Sequence, residues 1–352
     1  MRIKNKKLFR LNVAYAIVML LVLSLLTFNI SFHGGWNKTN AQPSNAINFQ
    51  SMVVYKNYLY SGAENSIEGA EIRRFDGFRW EEIGERGFGN PNNVSIGSMA
   101  VFKNKLLMGT KNQSQGAQIW EHDGSNWELL VENGIDDSNN TEFMSMLKYK
   151  GDLFITTNNK STGGQIWIYD GNNFTKQVGD GFGNSDNTAI PILKEYKNEM
   201  YAGTVNSNNG AELWRYDGSN WSKVLDGGMG SKDNTGIYSL EVFKDRIYFG
   251  TWNEATGGEV WRYDKDTGDW DRVNVGGFGI KENIGMMSMI TFGKYLYVGT
   301  YNKSACGEVW RTDGTEAVIP QFSTIALVIV LILSSVAFAF IRSKFKNQPS
   351  PA

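Results

Sequence analysis

From Ser51 to Gly314 the chain alternates apolar and polar positions in short runs, each broken by glycine, asparagine or aspartate. A period of two is that of half-buried β-strands, and the breakers are the residues that tight turns require. Six segments repeat the pattern: SMVVYKNYLYSG from Ser51, SMAVFKNKLLMGT from Ser98, SMLKYKGDLFITT from Ser145, PILKEYKNEMYAGT from Pro191, SLEVFKDRIYFGT from Ser239 and SMITFGKYLYVGT from Ser288. Each is followed by a second signature of the GxEVWRYDG kind, carrying Trp120, Trp167, Trp214, Trp261 and Trp310 in the last five copies. A third feature is an aromatic after an Asp-Gly turn: Asp76 with Trp80, Asp123 with Trp127, Asp170 with Phe174, Asp217 with Trp221, and Asp264 with Trp270. Those aromatics, at 80, 127, 174, 221 and 270, are spaced 47, 47, 47 and 49 residues apart. Four short strands per repeat of about 47 residues is the pattern of a β-propeller blade.

Two long apolar runs stand outside this alternation. Leu11–Ser31 follows Arg2, Lys4, Lys6, Lys7 and Arg10, which reads as a secretory signal or an uncleaved signal anchor; the most plausible cut lies near Ala41. Ser323–Ile341 is 19 uncharged residues, long enough at about 1.5 Å per residue to cross a bilayer core, and Arg342, Lys344 and Lys346 follow it. The positive-inside rule then puts the tail in the cytoplasm and the repeats outside the cell. The expected organisation is a signal or anchor at 1–31, the propeller at 32–314, a linker at 315–322, a transmembrane helix at 323–341 and a basic tail at 342–352. The chain is expected at the cell membrane, held by one C-terminal anchor.

The units resemble kelch and Asp-box propellers in their Asp-Gly-x-x-Trp turns, such as Asp123-Gly124-Ser125-Asn126-Trp127. Asp and Gly are adjacent here, unlike the Asp-box Ser-x-Asp-x-Gly pattern. The resemblance implies that the repeated Asp and Trp residues are scaffold. The stretch Pro320-Gln321-Phe322-Ser323-Thr324-Ile325-Ala326, with the apolar run and basic tail behind it, resembles the PEF-CTERM sorting signal of archaeal surface proteins, with Gln321 where that family has Glu. That likeness implies an archaeosortase-type processing enzyme as a partner.

Five fourth strands are visible for six first strands, because the sixth unit stops at Asp313-Gly314. Gly34-Gly35-Trp36-Asn37-Lys38 resembles the missing piece, so the sequence predicts a six-bladed ring with Trp36 in the sixth blade's outer strand.

Composition changes this picture little. Lys plus Arg is 35 and Asp plus Glu is 36, so the net charge of −1 gives no basic surface for nucleic acid. One cysteine, Cys306, allows no internal disulfide, and two histidines, His33 and His122, are too few for a histidine-rich metal centre. The loops GFGNPNNVS, GIDDSNNTE, GFGNSDNTA, GMGSKDNTG and GFGIKENIG are the leading functional candidates, sharing one face with loops such as NNKSTG. They carry Asp136, Asp137, Asp180, Asp186 and Asp233, oxygen ligands that could take Ca²⁺, although no Asp-x-Asp-x-Asp-Gly spacing appears. No other cofactor is implied. Asn-x-Ser/Thr acceptors for glycans occur at Asn37, Asn93, Asn112, Asn139, Asn159, Asn173, Asn220 and Asn302.

The repeated Glu or Gln before each Trp (Glu71, Gln118, Gln165, Glu212, Glu259, Glu308) swaps acid for amide, which a catalytic acid would not survive. Arg215, Arg262 and Arg311 recur once per unit and read as partners of acids. Glu142, Glu195, Glu241 and Glu282 are the carboxylates a glycosidase on this scaffold would draw on, but no pair stands out by spacing. The expectation is therefore a surface module that binds protein or glycan, or has a structural place in the cell envelope, and no enzyme; an extracytoplasmic glycosidase is the alternative.

Overall fold

The computed structural model describes residues 49–315, and the chain over that range is all-β. The N-terminal signal or anchor, Trp36, the sequon at Asn37 and the C-terminal apolar segment lie outside the described residues. No helix among the described residues is long and apolar enough to cross a membrane.

The strands form six successive antiparallel meanders at the predicted positions. Unit four is representative: strands Ala189–Tyr196, Glu199–Val205, Leu213–Tyr216 and Trp221–Leu225, each paired with the next. Units one to five have four strands. Unit six shows three among the described residues: Asn283–Phe292, Tyr295–Asn302 and Val309–Thr312. Consecutive units from two to six are linked by single pairings between one unit's second strand and the next unit's first: Lys111 with Glu142, Asn158 with Ala189, Val205 with Gly236 and Trp252 with Gly285.

Turn chemistry sets the register. The first two strands of units one to five join at two residues that both adopt positive φ, for example Lys103 (45°) with Asn104 (60°) and Lys244 (48°) with Asp245 (59°). That geometry matches the right-handed strand twist. At the Asp-Gly turns the aspartate carboxylate accepts two backbone N–H groups, as Asp123 does from Ser125 (2.7 Å) and Asn126 (2.8 Å). Those donors hold Asp76, Asp123, Asp170 and Asp217 below the usual carboxylate range. A carboxylate whose folded pKa is depressed contributes stability above its unfolded pKa and loses it as pH falls through the folded value. The urea midpoint should therefore drop between about pH 5 and 3. A variant with all four aspartates changed to asparagine should show a shallower drop, and an unchanged slope would contradict this.

Between units the core is apolar and repeats with the chain. Tyr201, Leu213, Ile237, Ile247, Phe249 and Trp261 form one such cluster across units four and five. Side chain to backbone bonds cross each junction: Ser98 Oγ donates to Phe143 O at 2.8 Å, Ser239 Oγ to Met286 O at 2.7 Å, and Tyr149 Oη to Asn198 O at 2.6 Å. Lys56 at unit one's turn likewise donates to the carbonyl of Asp123 in unit two.

The row's two ends differ from its five internal junctions. On unit six, Ile290, Phe292 and Val309 are 61%, 69% and 68% exposed, while on unit one Met52 and Val54 are 56% and 67% exposed. The space beside Gly77, where a lysine sits in later units, is open. The six-unit ring expected from the sequence is thus not closed among the described residues, because no contact of the junction type joins unit six to unit one.

Candidate functional site

The loops between units, expected to be the functional surface, turn inward as joints. Each places a bulky apolar residue in the left-handed region: Phe88 (φ 56°), Ile135 (58°), Phe182 (63°), Met229 (58°) and Phe278 (56°). Non-glycine residues pay about 1–2 kcal/mol there, so the packing must outweigh it. Phe182 stacks on Trp214 at 4.4 Å and 7°, and meets Trp221 edge-on at 5.1 Å. The preceding glycine cannot be replaced: a Cβ on Gly181 would lie 2.3 Å from Asn184 O.

Five residues before each first-strand Ser (or Ile192) sits a fully buried asparagine: Asn93, Asn140, Asn187, Asn234 and Asn283. Asn234 Nδ2 donates to Gly228 O (2.9 Å) and Glu259 (2.7 Å), while its Oδ1 accepts from Asn253 Nδ2 (2.9 Å) and Thr251 Oγ1 (3.1 Å). Glu259 also accepts from Trp261 Nε1 at 3.0 Å. The amide version uses Gln118, which accepts from Asn93 (2.7 Å) and from Trp120 Nε1 (2.9 Å). Only an acceptor is required at that position, which explains why Glu and Gln interchange. The Trp row is accordingly held by an indole bond and a loop side chain, and Trp167 and Trp261 are buried.

This network separates the glycan acceptors. Asn93, Asn112 and Asn159 are 0% exposed and their amides are bonded within it, so no sugar fits on them in the folded chain. Asn302 is half-buried with Nδ2 on Asn283 at 2.8 Å. Asn139, Asn173 and Asn220 are exposed. Of the loop aspartates, Asp137 accepts from Asn159 (2.9 Å) and Gln165 (3.0 Å), and Asp186 from Asn209 (3.2 Å). Among the described residues no three His, Cys, Asp or Glu side chains gather as a metal site would require.

The free chemistry lies where second strands end and the next first strands begin. Glu64, Lys111, Asn158, Val205, Trp252 and Tyr301 occupy the equivalent position in units one to six. Toward units five and six this end is aromatic. Tyr238 lies 5.7 Å from Trp252, and Trp252 stacks on Tyr301 at 5.2 Å and 29°. Beside them is a cleft of about 510 Å³ lined by Val205, Asp233, Thr235, Tyr238, Trp252 and Glu254. Tyr301 is 48% exposed, and Lys303 pairs with Glu254 at 2.9 Å on the rim. Burial, with Glu142 adding to it, pushes the Tyr238 phenol up to about 12, so it stays a neutral hydroxyl at physiological pH.

Toward units one to three the same end is charged. Lys111 faces Glu64 at 3.7 Å. Glu142 is buried, and burial raises its carboxyl, with Lys111 opposing. Its cross-strand neighbour Asn158 carries a buried Oδ1 that finds no partner among the described residues.

The other carboxylates considered for hydrolysis are elsewhere. Glu195 and Glu282 are exposed, and Glu241 is paired with Lys194 at 2.6 Å. Arg262 pairs with Asp271 (3.3 Å) and Arg311 stacks over Tyr295 (4.5 Å), each inside its own unit. Cys306 is exposed and free. Neither the aromatic cleft nor the asparagine joints were singled out from the sequence. The joints could have been found from phase, since the asparagines at 93, 140, 187, 234 and 283, and those at 112, 159, 206, 253 and 302, recur at fixed offsets from the first strands.

No protein-family model matches the chain, and no curated protein matches it.

Proposed function

We propose that this chain is an extracytoplasmic six-bladed β-propeller that binds a carbohydrate through the aromatic cleft, held at the cell surface by the apolar segment 323–341. Support for the propeller comes from six copies of one meander whose first strands lie side by side. The uncovered faces of units six and one carry the same kinds of residue that pack at the five internal junctions. Leaving Ile290, Phe292, Val309, Met52 and Val54 in water is unfavourable, and closing unit six on unit one would bury them together.

The observation that carries the binding reading is the Tyr238–Trp252–Tyr301 ladder beside Asp233 and Glu254. Aromatic faces take the apolar C–H face of a sugar ring, and flanking carboxylates and hydroxyls take its hydroxyl groups. An open cleft with carboxylates and a hydroxyl beside aromatic faces suits a saccharide better than an apolar ligand.

The test is titration of the full-length protein in detergent with a panel of oligosaccharides, read by calorimetry. Trp252→Ala should weaken the best binder at least tenfold, about 1.4 kcal/mol, while Leu129→Ala on an outer strand should leave it unchanged. Equal affinity for wild type and Trp252→Ala, or no saccharide binding, would overturn the reading. Release of a shortened sugar during the titration would replace binding by hydrolysis.

A further inference from the structure

Backbone pairing carries one row of residues from the polar side of the cleft to its aromatic side. Ser95 lies opposite Lys111, Lys111 opposite Glu142, and Glu142 opposite Asn158. The same register continues through Ala189, Val205 and Gly236 to Trp252. Directly paired residues project from one face of a sheet, with Cβ atoms about 4.5–5.5 Å apart. Ala189, Val205 and Gly236 are small, so nothing bulky divides the two sides. Burial, and then the charge of Glu142, raise the Tyr238 phenol, so the face curls enough to bring Glu142 and Tyr238 onto one space.

The repeat is broken twice on the polar side. Units three to six carry Met144, Pro191, Tyr238 and Met287 where unit two has Gly97. A Cβ on Gly97 would lie 3.1 Å from Glu142 Oε1 and 2.7 Å from Phe143 O, so the glycine makes room for the carboxyl. Glu142 itself stands where other units have Ser95, Ala189, Gly236 and Gly285. It is 6% exposed, and no hydrogen bond or ion pair reaches its carboxyl among the described residues. Asn158 Oδ1 and the Oγ of fully buried Ser95, in the same row, also find no partner among them. Buried polar atoms are seldom left unpaired in native proteins, and three in one row mark a place that a ligand completes.

The chemistry of the row selects the ligand. Asn158 Oδ1 and an ionised Glu142 can only accept hydrogen bonds. Lys111 is matched by Glu64 at 3.7 Å, whereas Glu142 has no such partner. Burial raises the Glu142 carboxyl; Lys111 opposes this, Glu64 adds to it and Lys160 opposes it, while Gly97 and Ala189 on the flanking first strands bring no charge. A primary ammonium supplies three donors and the missing positive charge. A carboxylate or sulfate would bring only acceptors and repulsion. We infer that the saccharide held by the aromatic ladder is an amino sugar, whose free ammonium group sits on Glu142 and Asn158. The inference rests on the carbohydrate reading of the cleft and names the class of sugar that it takes.

The experiment titrates the full-length protein in detergent with a glucosamine tetramer, its fully N-acetylated counterpart and a galacturonate tetramer. Calorimetry is run at about pH 6, where such amines keep their proton, in two buffers of different ionisation heat. The glucosamine tetramer should bind about tenfold tighter than the other two. Its ammonium favours the ionised form of a carboxyl that burial holds protonated, so binding should release protons into the buffer. Glu142→Gln should bring the preference for glucosamine over the N-acetylated tetramer to within about twofold and abolish the proton release. Asn158→Val, the residue that Val205 supplies in unit four, should narrow the preference by about threefold. Equal affinity for all three tetramers, or preference for galacturonate, with Trp252→Ala still weakening them, would overturn the amino-sugar inference and leave the carbohydrate reading standing. A preference that survives in both variants would also overturn it. Binding of none of the three, with another saccharide bound through Trp252, would sink this inference alone; binding of no saccharide would sink both.

Discussion

Asn234→Ala should cost about 3–5 kcal/mol, among the largest losses any single polar substitution in this protein could cause, although the side chain touches no proposed ligand. Removing the amide strands Asn253 Nδ2, leaves Gly228 O with only the Ser231 N–H at 3.3 Å, and takes one donor from the buried Glu259 carboxylate. Each stranded buried group costs roughly 1–3 kcal/mol, and more when charged. The retained bonds from Trp261 and Arg272 to Glu259 keep the total below a simple sum. Against a typical stability of about 5–15 kcal/mol this is a large fraction. Equilibrium urea unfolding reads it directly. Asn139→Ala, at an exposed sequon in the loop between units two and three, should change stability by less than about 0.5 kcal/mol. A cost below about 1 kcal/mol for Asn234→Ala would mean that the asparagine joints are not structural.

Phe182 sets two effects of opposite sign against each other. Its backbone sits at φ 63°, which glycine would relieve by about 1 kcal/mol, but its ring is clamped between Trp214 and Trp221. Truncating a packed phenylalanine costs about 3–5 kcal/mol, so the packing wins. Phe182→Ala should lose about 3–4 kcal/mol, keeping the strain and losing the ring. Phe182→Gly should lose about 1 kcal/mol less than that. If glycine were more stable than phenylalanine, the left-handed loop would be storing strain for some other purpose.

The contrast between these residues and the aromatic cleft shows what was legible in the sequence. Strands, turns and unit boundaries were visible because each depends on neighbours within a few residues: alternation, Lys-Asn turns, Asp-Gly turns. The asparagine joints depend on contacts such as Asn234 with Asn253 and Glu259, 19 and 25 residues away. Locally Asn93 and Asn159 read as sequons, and only their phase in the repeat betrays their burial. The aromatic ladder was harder still. Tyr238, Trp252 and Tyr301 come from two units at positions where the other units carry Gly97, Lys111 or Asn158, so no repeated motif announces it. Function on a repeat scaffold sits where the repeat is broken, and the repeat's own signal hides it.

Closure of unit six on unit one is the central claim, and a distance between two turns tests it. In a Cys306→Ser background, spin labels at Lys294→Cys and Phe78→Cys mark the first turn of unit six and the Asp-Gly turn of unit one, both exposed. Labels at Asn57→Cys and Ser125→Cys mark the same two turns across the packed junction of units one and two, where Lys56 reaches Asp123. Double electron–electron resonance on the full chain should give the same distance for both pairs if the ring is closed. A distance for the 294–78 pair clearly longer than the 57–125 control would contradict closure and leave an open row of six units.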